Sequence, residues 1–317
     1  MPAIYLTEAD VERLLNIETA IEVCGEAFRR LATGEAENVP RARAQGSGII
    51  LHTMSAAASY LGLVGWKCYT TTRQGALFHL GLYDATGALV ALVEADRLGQ
   101  LRTGATTGVA VGSMADPEAS EMGLFGAGWQ AESQLAAVAR ARPIKIAYVY
   151  SRNEEKRNRF ADRMSKQLDI DVRPVDRPQE AAEDLPIVVT ATSSREPVFD
   201  GIWLAEGTTV CATGSNWLTK AEIDSNVIRR ADNIVCDSIK ACRLEAGDFV
   251  AAIEKGIFDW SRAVELSDVL AGKATGRNTR ESIALFKSVG LAIEDVALGA
   301  KLLELARVQN IGRELPF

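Results

Sequence analysis

The chain has 317 residues, 47% of them hydrophobic, 24% charged and 6% aromatic, the make-up of an ordinary globular protein long enough for two domains. Its formal net charge of -7 argues against a surface that holds nucleic acid by neutralising phosphates. Apolar runs such as "GALVALVEA" fall short of the ~20 residues of a bilayer-spanning helix, and "MPAIYLTEADVERLL" lacks the basic-then-apolar order of a secretory signal, so a cytoplasmic location with no membrane partner is expected.

In chain order, "TEADVERLLNIETAIEVCGEAFRRLATGEA" predicts one or two helices, capped by Thr7 and stopped by Gly34. From "SGIILHTMSAAA" to "GALFHLGLYDATGALVALVEA", short apolar runs broken by Gly and Ser predict an antiparallel sheet. "DRLGQLRTGATTGVAVGSMA" reads as a loop leading into a small-residue helix. After "DPEAS" strand and amphipathic helix alternate through "MGLFGAG", "KIAYVYS" and "LPIVVTATSS", a parallel βαβ pattern. "TTVCATGS", "AEIDSNVIRRA" and "NIVCDS" are expected to add strands to the same sheet. The last long helix, "IEDVALGAKLLELARVQNIG", has no βαβ partner and is expected to return to the first domain. The fold class is thus α/β, a Rossmann-type domain over 116–296 beside a smaller α+β domain over 1–115 and 297–317. Five cysteines without a CxxC pair, and only His52 and His79, form no ligand pattern, and no metal is expected.

The segment Gly126-Ala127-Gly128-Trp129-Gln130-Ala131 is a GxGxxA turn between a strand and a helix. Gly126 permits the tight turn, Gly128 lets a pyrophosphate approach the backbone, and Ala131 allows close helix–strand packing. The phosphates would sit on the helix N-terminus, where N–H groups and the dipole favour anions. The next strand ends in Ser151-Arg152-Asn153, with no carboxylate to grip a ribose 2′-hydroxyl. Arg152 there suits a 2′-phosphate, so NADPH is expected over NADH.

Three cations stand in apolar or small-residue settings: Arg41 in "NVPRARAQ", Lys67 in "LVGWKCYTT" and Arg102 in "GQLRTGATT". Spacing leaves two readings open. Each is a surface residue or the partner of a structural acid; or the arginines clamp a carboxylate while Lys67 handles a proton. Trp66 and Trp217 would flank such a site or fill the core, Glu245 and Asp248 would be site carboxylates, caps or surface acids, and Lys287 is read as facing solvent or phosphate.

With Arg41 and Lys67, the segments "EADRLGQLRTGA", "GAGWQA", "VYSRN", "VTATSSREP", "ATGSN", "LEAGDF" and "LFKSVGLAIEDVA" make nearly the whole chain resemble the ornithine cyclodeaminase and mu-crystallin family. The resemblance implies a homodimer formed through the sheet of the first domain, and a small imino or amino acid as substrate. It places Arg41, Lys67 and Arg102 at the substrate and catalytic positions. It places Thr103, the glycine turn, Ser151, Arg152, Asn153, Thr192, Ser193, Gly214 and Ser288 at the dinucleotide. Two departures stand out: Asn216 replaces the aspartate of the cyclodeaminases, and an amide takes no proton at neutral pH; and His52 falls where ornithine cyclodeaminase has a glutamate for the distal amine, although a histidine satisfied on its own strand reads equally well. The expected activity is NADPH-dependent reduction of a cyclic ketimine or 2-imino carboxylate, such as Δ1-pyrroline-2-carboxylate, with Asn216 orienting the nitrogen. The alternatives are an amino acid dehydrogenase, an ornithine or lysine cyclodeaminase, or a crystallin-like NADPH-binding protein without turnover.

Overall fold

Thr7 caps the first helix as its sequence setting predicts: its hydroxyl accepts from Asp10 N, and the Asp10 carboxylate accepts from Thr7 N, a capping box. The structure, a computed structural model, describes residues 2–316. Strand β1 (Ile4–Leu6) leads into α1 (Glu8–Leu14) and α2 (Ile17–Thr33), which stops at Gly34 in the left-handed region, φ 77°, where glycine carries no steric cost. Strands β2 (Ala36–Gly46), β3 (Ile49–Ala58), β4 (Leu63–Thr72), β5 (Gly75–Asp84) and β6 (Leu89–Glu94) pair antiparallel in turn, and β1 joins β6 in parallel. This is the antiparallel sheet that the alternating apolar runs predict.

Helix α3 (Asp96–Met114) begins at once after β6, without the expected loop. The Glu8 carboxylate accepts from Asp96 N and Arg97 N at 2.7 and 2.9 Å, so the start signal lies 88 residues away in sequence and no local pattern carries it.

Next come β7 (Glu121–Phe125), α4 (Trp129–Ala141), β8 (Ile146–Tyr150), α5 (Glu154–Leu168), β9 (Asp171–Pro174), β10 (Ile187–Thr190) and β11 (Thr209–Ala212). They are followed by α6 (Ser225–Arg230), β12 (Asn233–Cys236), α7 (Ile239–Glu245), α8 (Val250–Glu254), β13 (Ala263–Glu265), α9 (Leu266–Leu270) and β14 (Ala284–Lys287). "AEIDSNVIRRA" is therefore no strand: Asp224 accepts from Asn226 N and Val227 N and turns the segment into α6. The eight strands form one parallel sheet in the order β13-β12-β14-β11-β10-β7-β8-β9. Every residue of β10, β11, β12 and β14 is buried, as a parallel sheet covered on both faces requires. The chain runs outward from β7 to β9 on one side and from β10 to β11 on the other, so the topological switch lies between β7 and β10. This is a Rossmann-type dinucleotide-binding fold.

Helix α10 (Ala292–Gln309) and β15 (Arg313–Glu314) close the chain. Helix α10 lies against the first sheet, packing on β2, β3, β4, β5 and α2, while β15 pairs with β1 at the far edge. Two compact units result: one runs to Arg102 and resumes at Gly290, and the other is Thr103–Val289. The divisions fall inside α3 and just ahead of α10, earlier than the 115/116 and 296/297 expected from texture. Among the described residues no helix is long and apolar enough to cross a membrane, and no group of His, Cys, Asp and Glu has the arrangement of a metal site.

Candidate functional site

In the second unit the glycine turn leaves β7 with Gly126 at φ 116°, a conformation that L side chains rarely adopt. A Cβ there would also collide with the carbonyl oxygen of Ala191, whose N–H donates to Phe125 O at 2.8 Å. Gly128 is the N-cap of α4 and offers no side-chain cap, and a Cβ built on it meets nothing within 4 Å. Open space over an uncapped helix start fits a pyrophosphate. Ala131 is fully buried, as close packing of helix on strand demands, while Trp129 is 45% exposed. Gly104 lets α3 approach α4, since a Cβ there would strike the Ser133 backbone, and the Thr103 carbonyl accepts from Gln134 Nε2 at 3.2 Å.

The tip of β8 holds Ser151, Arg152 and Asn153. Arg152 is exposed, and Asn153 caps α5 by accepting from Lys156 N at 2.8 Å. Glu154 and Glu155 lie in the first turn of α5, which leaves Arg152 the charged side chain at the tip. Thr192, Ser193 and Gly214 lie just past the carboxyl ends of β10 and β11, with Asn216 and Trp217 half-buried two and three residues beyond Gly214. Ser288 follows β14 and is buried, its hydroxyl donating to Asp237 Oδ2 at 2.8 Å.

In the first unit Arg41, Lys67 and Arg102 are all buried, at 8%, 1% and 9% exposure, so the surface reading falls. Arg41 sits where the register of β2 on β3 shifts between Val39 and Ala42, a bulge of the kind that re-aims a side chain. Its guanidinium donates to Gly290 O at 3.4 Å and lies 6.0 Å from the Tyr69 ring centroid. Lys67 Nζ donates to Asp295 Oδ1 at 2.7 Å. Arg102 meets Glu294 Oε2 at 2.9 Å and Asp295 Oδ1 at 3.3 Å. Two glycines make room for these heads: a Cβ on Gly99 would lie 2.8 Å from Lys67 Nζ, and one on Gly290 (φ 80°) would lie 2.5 Å from an Arg102 nitrogen.

Burial pushes Lys67 down from the ordinary 10.5 to about 8, with Arg102 and Arg41 helping and Asp295 resisting. For Arg102 burial also works against the charge, but Asp295 and Glu294 outweigh it and hold the guanidinium protonated. The cluster therefore contains a lysine able to change protonation near neutral pH and two fixed cations, an arrangement suited to a carboxylate beside a group that takes up or gives off a proton.

His52 pairs with Tyr69 across the β3–β4 ladder, on the same face as Lys67. Its ring stacks on Tyr69 at 4.1 Å, and Nε2 lies 3.2 Å from Thr71 Oγ1. Burial, with Arg43 and Arg41 nearby, lowers it to about 4, so it is a neutral ring at physiological pH. Of the two readings of Trp66 the one at the site falls: neighbours in a strand face opposite ways, and Trp66 packs over Gly81 on the side away from Lys67. Lys287 is likewise not at solvent but fully buried, paired with Asp248 Oδ2 at 2.7 Å. Glu245 and Asp248 are buried rather than at the surface. Glu294, Asp295 and Glu222 were overlooked. The first two stand adjacent in an apolar helix, which is itself a signal, because carboxylates are seldom buried without partners.

A profile of the ornithine cyclodeaminase/mu-crystallin family matches residues 2–308. The chain is 31% identical to an alanine dehydrogenase of Archaeoglobus fulgidus over 328 aligned positions, covering 100% of this chain and 99% of that protein. Among solved structures it is similar to the Δ1-pyrroline-2-carboxylate reductase of Thermococcus litoralis in complex with NADH and L-proline, at 32% identity and a TM-score of 0.93, covering 98% and 100% of the two chains. It is also similar to an archaeal alanine dehydrogenase dimer with bound NAD, at 29% identity and a TM-score of 0.94 over 100% of both chains.

Proposed function

The chain belongs to the ornithine cyclodeaminase/mu-crystallin family and is an NAD(P)H-dependent oxidoreductase acting at carbon–nitrogen bonds; from that premise we propose that it reduces a small cyclic ketimine or 2-imino carboxylate, with Δ1-pyrroline-2-carboxylate as the first substrate to try. The observation that carries this reading is the buried cluster of Lys67, Asp295, Arg102 and Arg41, in which burial brings Lys67 down to about 8.

Arg41 and Arg102 bind the substrate carboxylate, and Lys67 delivers a proton to the nitrogen. When bound, the reduced nicotinamide supplies the hydride for the carbon of the C=N bond. Asn216, an amide where the cyclodeaminases carry an aspartate, cannot serve as a base, which favours reduction of a preformed imine over ornithine cyclisation. His52, neutral and stacked on Tyr69, offers a flat polar edge to the substrate rather than a counter-charge for a distal amine. The second unit takes the dinucleotide on the Gly126–Gln130 turn, with Arg152 favouring NADPH over NADH through the 2′-phosphate. The chain works as a homodimer: Ile49, Leu51, Val64 and Leu77 are 43%, 39%, 49% and 71% exposed on the face of the first sheet opposite Lys67, an apolar surface that a second copy would cover.

The test is the absorbance of NADPH and of NADH in the presence of Δ1-pyrroline-2-carboxylate, Δ1-piperideine-2-carboxylate, or pyruvate with ammonia, with ornithine and NADP⁺ or NAD⁺ as a control. Turnover of a cyclic ketimine, faster with NADPH and less selective in Arg152→Ser, is the expected result. Turnover of pyruvate and ammonia alone would make the chain an alanine dehydrogenase, and binding of NADPH with no turnover of any imine would make it a binding protein.

A further inference from the structure

Beyond the residues that face a dinucleotide, the second unit buries a charged chain of its own at the carboxyl ends of β10, β11 and β14, three strands adjacent in the sheet. Glu222 is fully buried, Asp248 is 3% exposed and Lys287 is fully buried. The Glu222 carboxylate accepts four hydrogen bonds. Oε1 takes Thr192 N at 2.6 Å and Thr192 Oγ1 at 2.7 Å; Oε2 takes Gly214 N at 2.6 Å and Thr190 Oγ1 at 2.9 Å. One side chain thus bridges the loops that follow β10 and β11. The fit is close, for a Cβ on Gly214 would overlap the Glu222 carboxylate and come within 2.5 Å of Thr192 N. Asp248 fixes Glu222 in turn by accepting from its backbone N–H at 2.6 Å, and Lys287 ties Asp248 to the second loop by donating to Ser215 O at 2.9 Å.

The position of this bridge gives it a meaning. In a doubly wound sheet the two halves of a dinucleotide lie on either side of the switch point, outside the carboxyl ends of the strands. With the glycine turn on β7 and Arg152 on β8, the adenosine half belongs to the β8 side and the nicotinamide half to the β10–β11 side. We propose that Glu222 is a positioning residue for the nicotinamide half: it sets the spacing of the 191–194 and 213–216 loops without itself meeting the ligand. The proposal rests on the reading of this chain as a nicotinamide-dependent enzyme.

Glutamine is the informative replacement because it keeps the shape and changes the hydrogen-bond count. Thr192 N and Gly214 N can only donate, and they address different oxygens of Glu222. An amide has one oxygen and one NH2 group, so Glu222→Gln satisfies one loop and sets donor against donor at the other. Loss of such a bond to a buried charged group corresponds to about a tenfold change in binding.

The experiment is calorimetric titration of the full-length wild type and Glu222→Gln with NADPH and with adenosine 2′,5′-bisphosphate, which keeps the adenosine half and lacks the nicotinamide half. The expected result is a Kd for NADPH about tenfold higher in the variant, with the Kd for the fragment within about twofold of wild type. Equal weakening of both ligands, or no change in either, overturns the proposal. Thr190→Val, which removes one donor and keeps the volume, is titrated beside it and carries the test if Glu222→Gln fails to fold; it is expected to weaken NADPH about threefold and the fragment not at all, and an equal or null effect again overturns the proposal. Wild-type protein that binds neither ligand overturns instead the NADPH preference drawn from Arg152, and the same titration with NADH and 5′-AMP then carries the test under the same expectations.

Discussion

Lys67 in the first unit and Lys287 in the second are both buried, at 1% and 0% exposure, yet burial prevails at one and is overruled at the other. Lys67 has one bonded carboxylate, Asp295, with Arg102 and Arg41 close by, and falls to about 8. Lys287 is disfavoured by burial too, but Asp248 and Glu222 raise it above its ordinary value. Desolvation acts alike on any buried ammonium, and the balance of neighbouring charges decides whether it becomes a working acid or a fixed strut. The same residue type is thus brought within reach of neutral pH in one sheet and held as a fixed cation in the other.

Exchanging the two roles gives the largest expected effects. Lys67→Ala is expected to lower kcat for imine reduction by about 10²–10⁴-fold, the range for a general acid, while the Kd for NADPH by calorimetry stays at the wild-type value, as expected if the glycine turn of the second unit takes the dinucleotide. An unchanged kcat would remove Lys67 from the mechanism. Lys287→Met is expected to cost about 3–5 kcal/mol of stability, since Asp248 and Glu222 would be left buried without their cation. Denaturant unfolding measures that loss, and a wild-type midpoint would end the contrast between the two lysines.

A finer test is pH. In the proposed reaction the ammonium of Lys67 is the proton donor, so kcat/KM for reduction is expected to fall as pH rises through about 8, and the oxidative direction to rise over the same range. Asp295→Asn removes the charge that holds the proton on, and the falling limb should move about one unit to lower pH; a limb that stays in place would mean another group sets it. Stability follows the same group with a defined sign. Between about 8 and 10.5 the unfolded chain binds more protons at this lysine than the folded one, so this site makes the fold more stable as pH rises across that window.

The smallest effect concerns His52. Its folded value of about 4 lies below the ordinary 6.5, so the stability of the neutral ring is complete above 6.5 and is lost as pH falls toward 4. His52→Gln should flatten the decline in Tm over that interval, and an identical decline in both proteins would place the acid sensitivity elsewhere.

How much of this could be read without coordinates depends on the range of the cause. The glycine turn, the Thr7 cap and the Gly34 stop are local, and spacing reveals them. The antiparallel and parallel halves follow from the period of apolar residues and the alternation with helices. Arg41, Lys67 and Arg102 were visible as cations in unsuitable surroundings, but Asp295 lies 228 residues from Lys67, and no local pattern joins them. Trp66 stayed open between site and core until adjacency in a strand, which means opposite faces, was applied to it, and Lys287 was misread because an isolated cation at a strand end resembles a solvated one until Asp248 and Glu222 are placed around it. The start of α3 escaped notice for the same reason, its capping carboxylate belonging to Glu8.

The return of α10 to the first sheet also sets a clock. At about 5–20 residues per second, the 228 residues between Lys67 and Asp295 take roughly 11–46 s to synthesise. During that time Lys67 lacks Asp295 and the sheet lacks α10, while the whole of Thr103–Val289 emerges in between. The second unit is synthesised whole within that interval, whereas the sheet of the first waits for α10 to cover it.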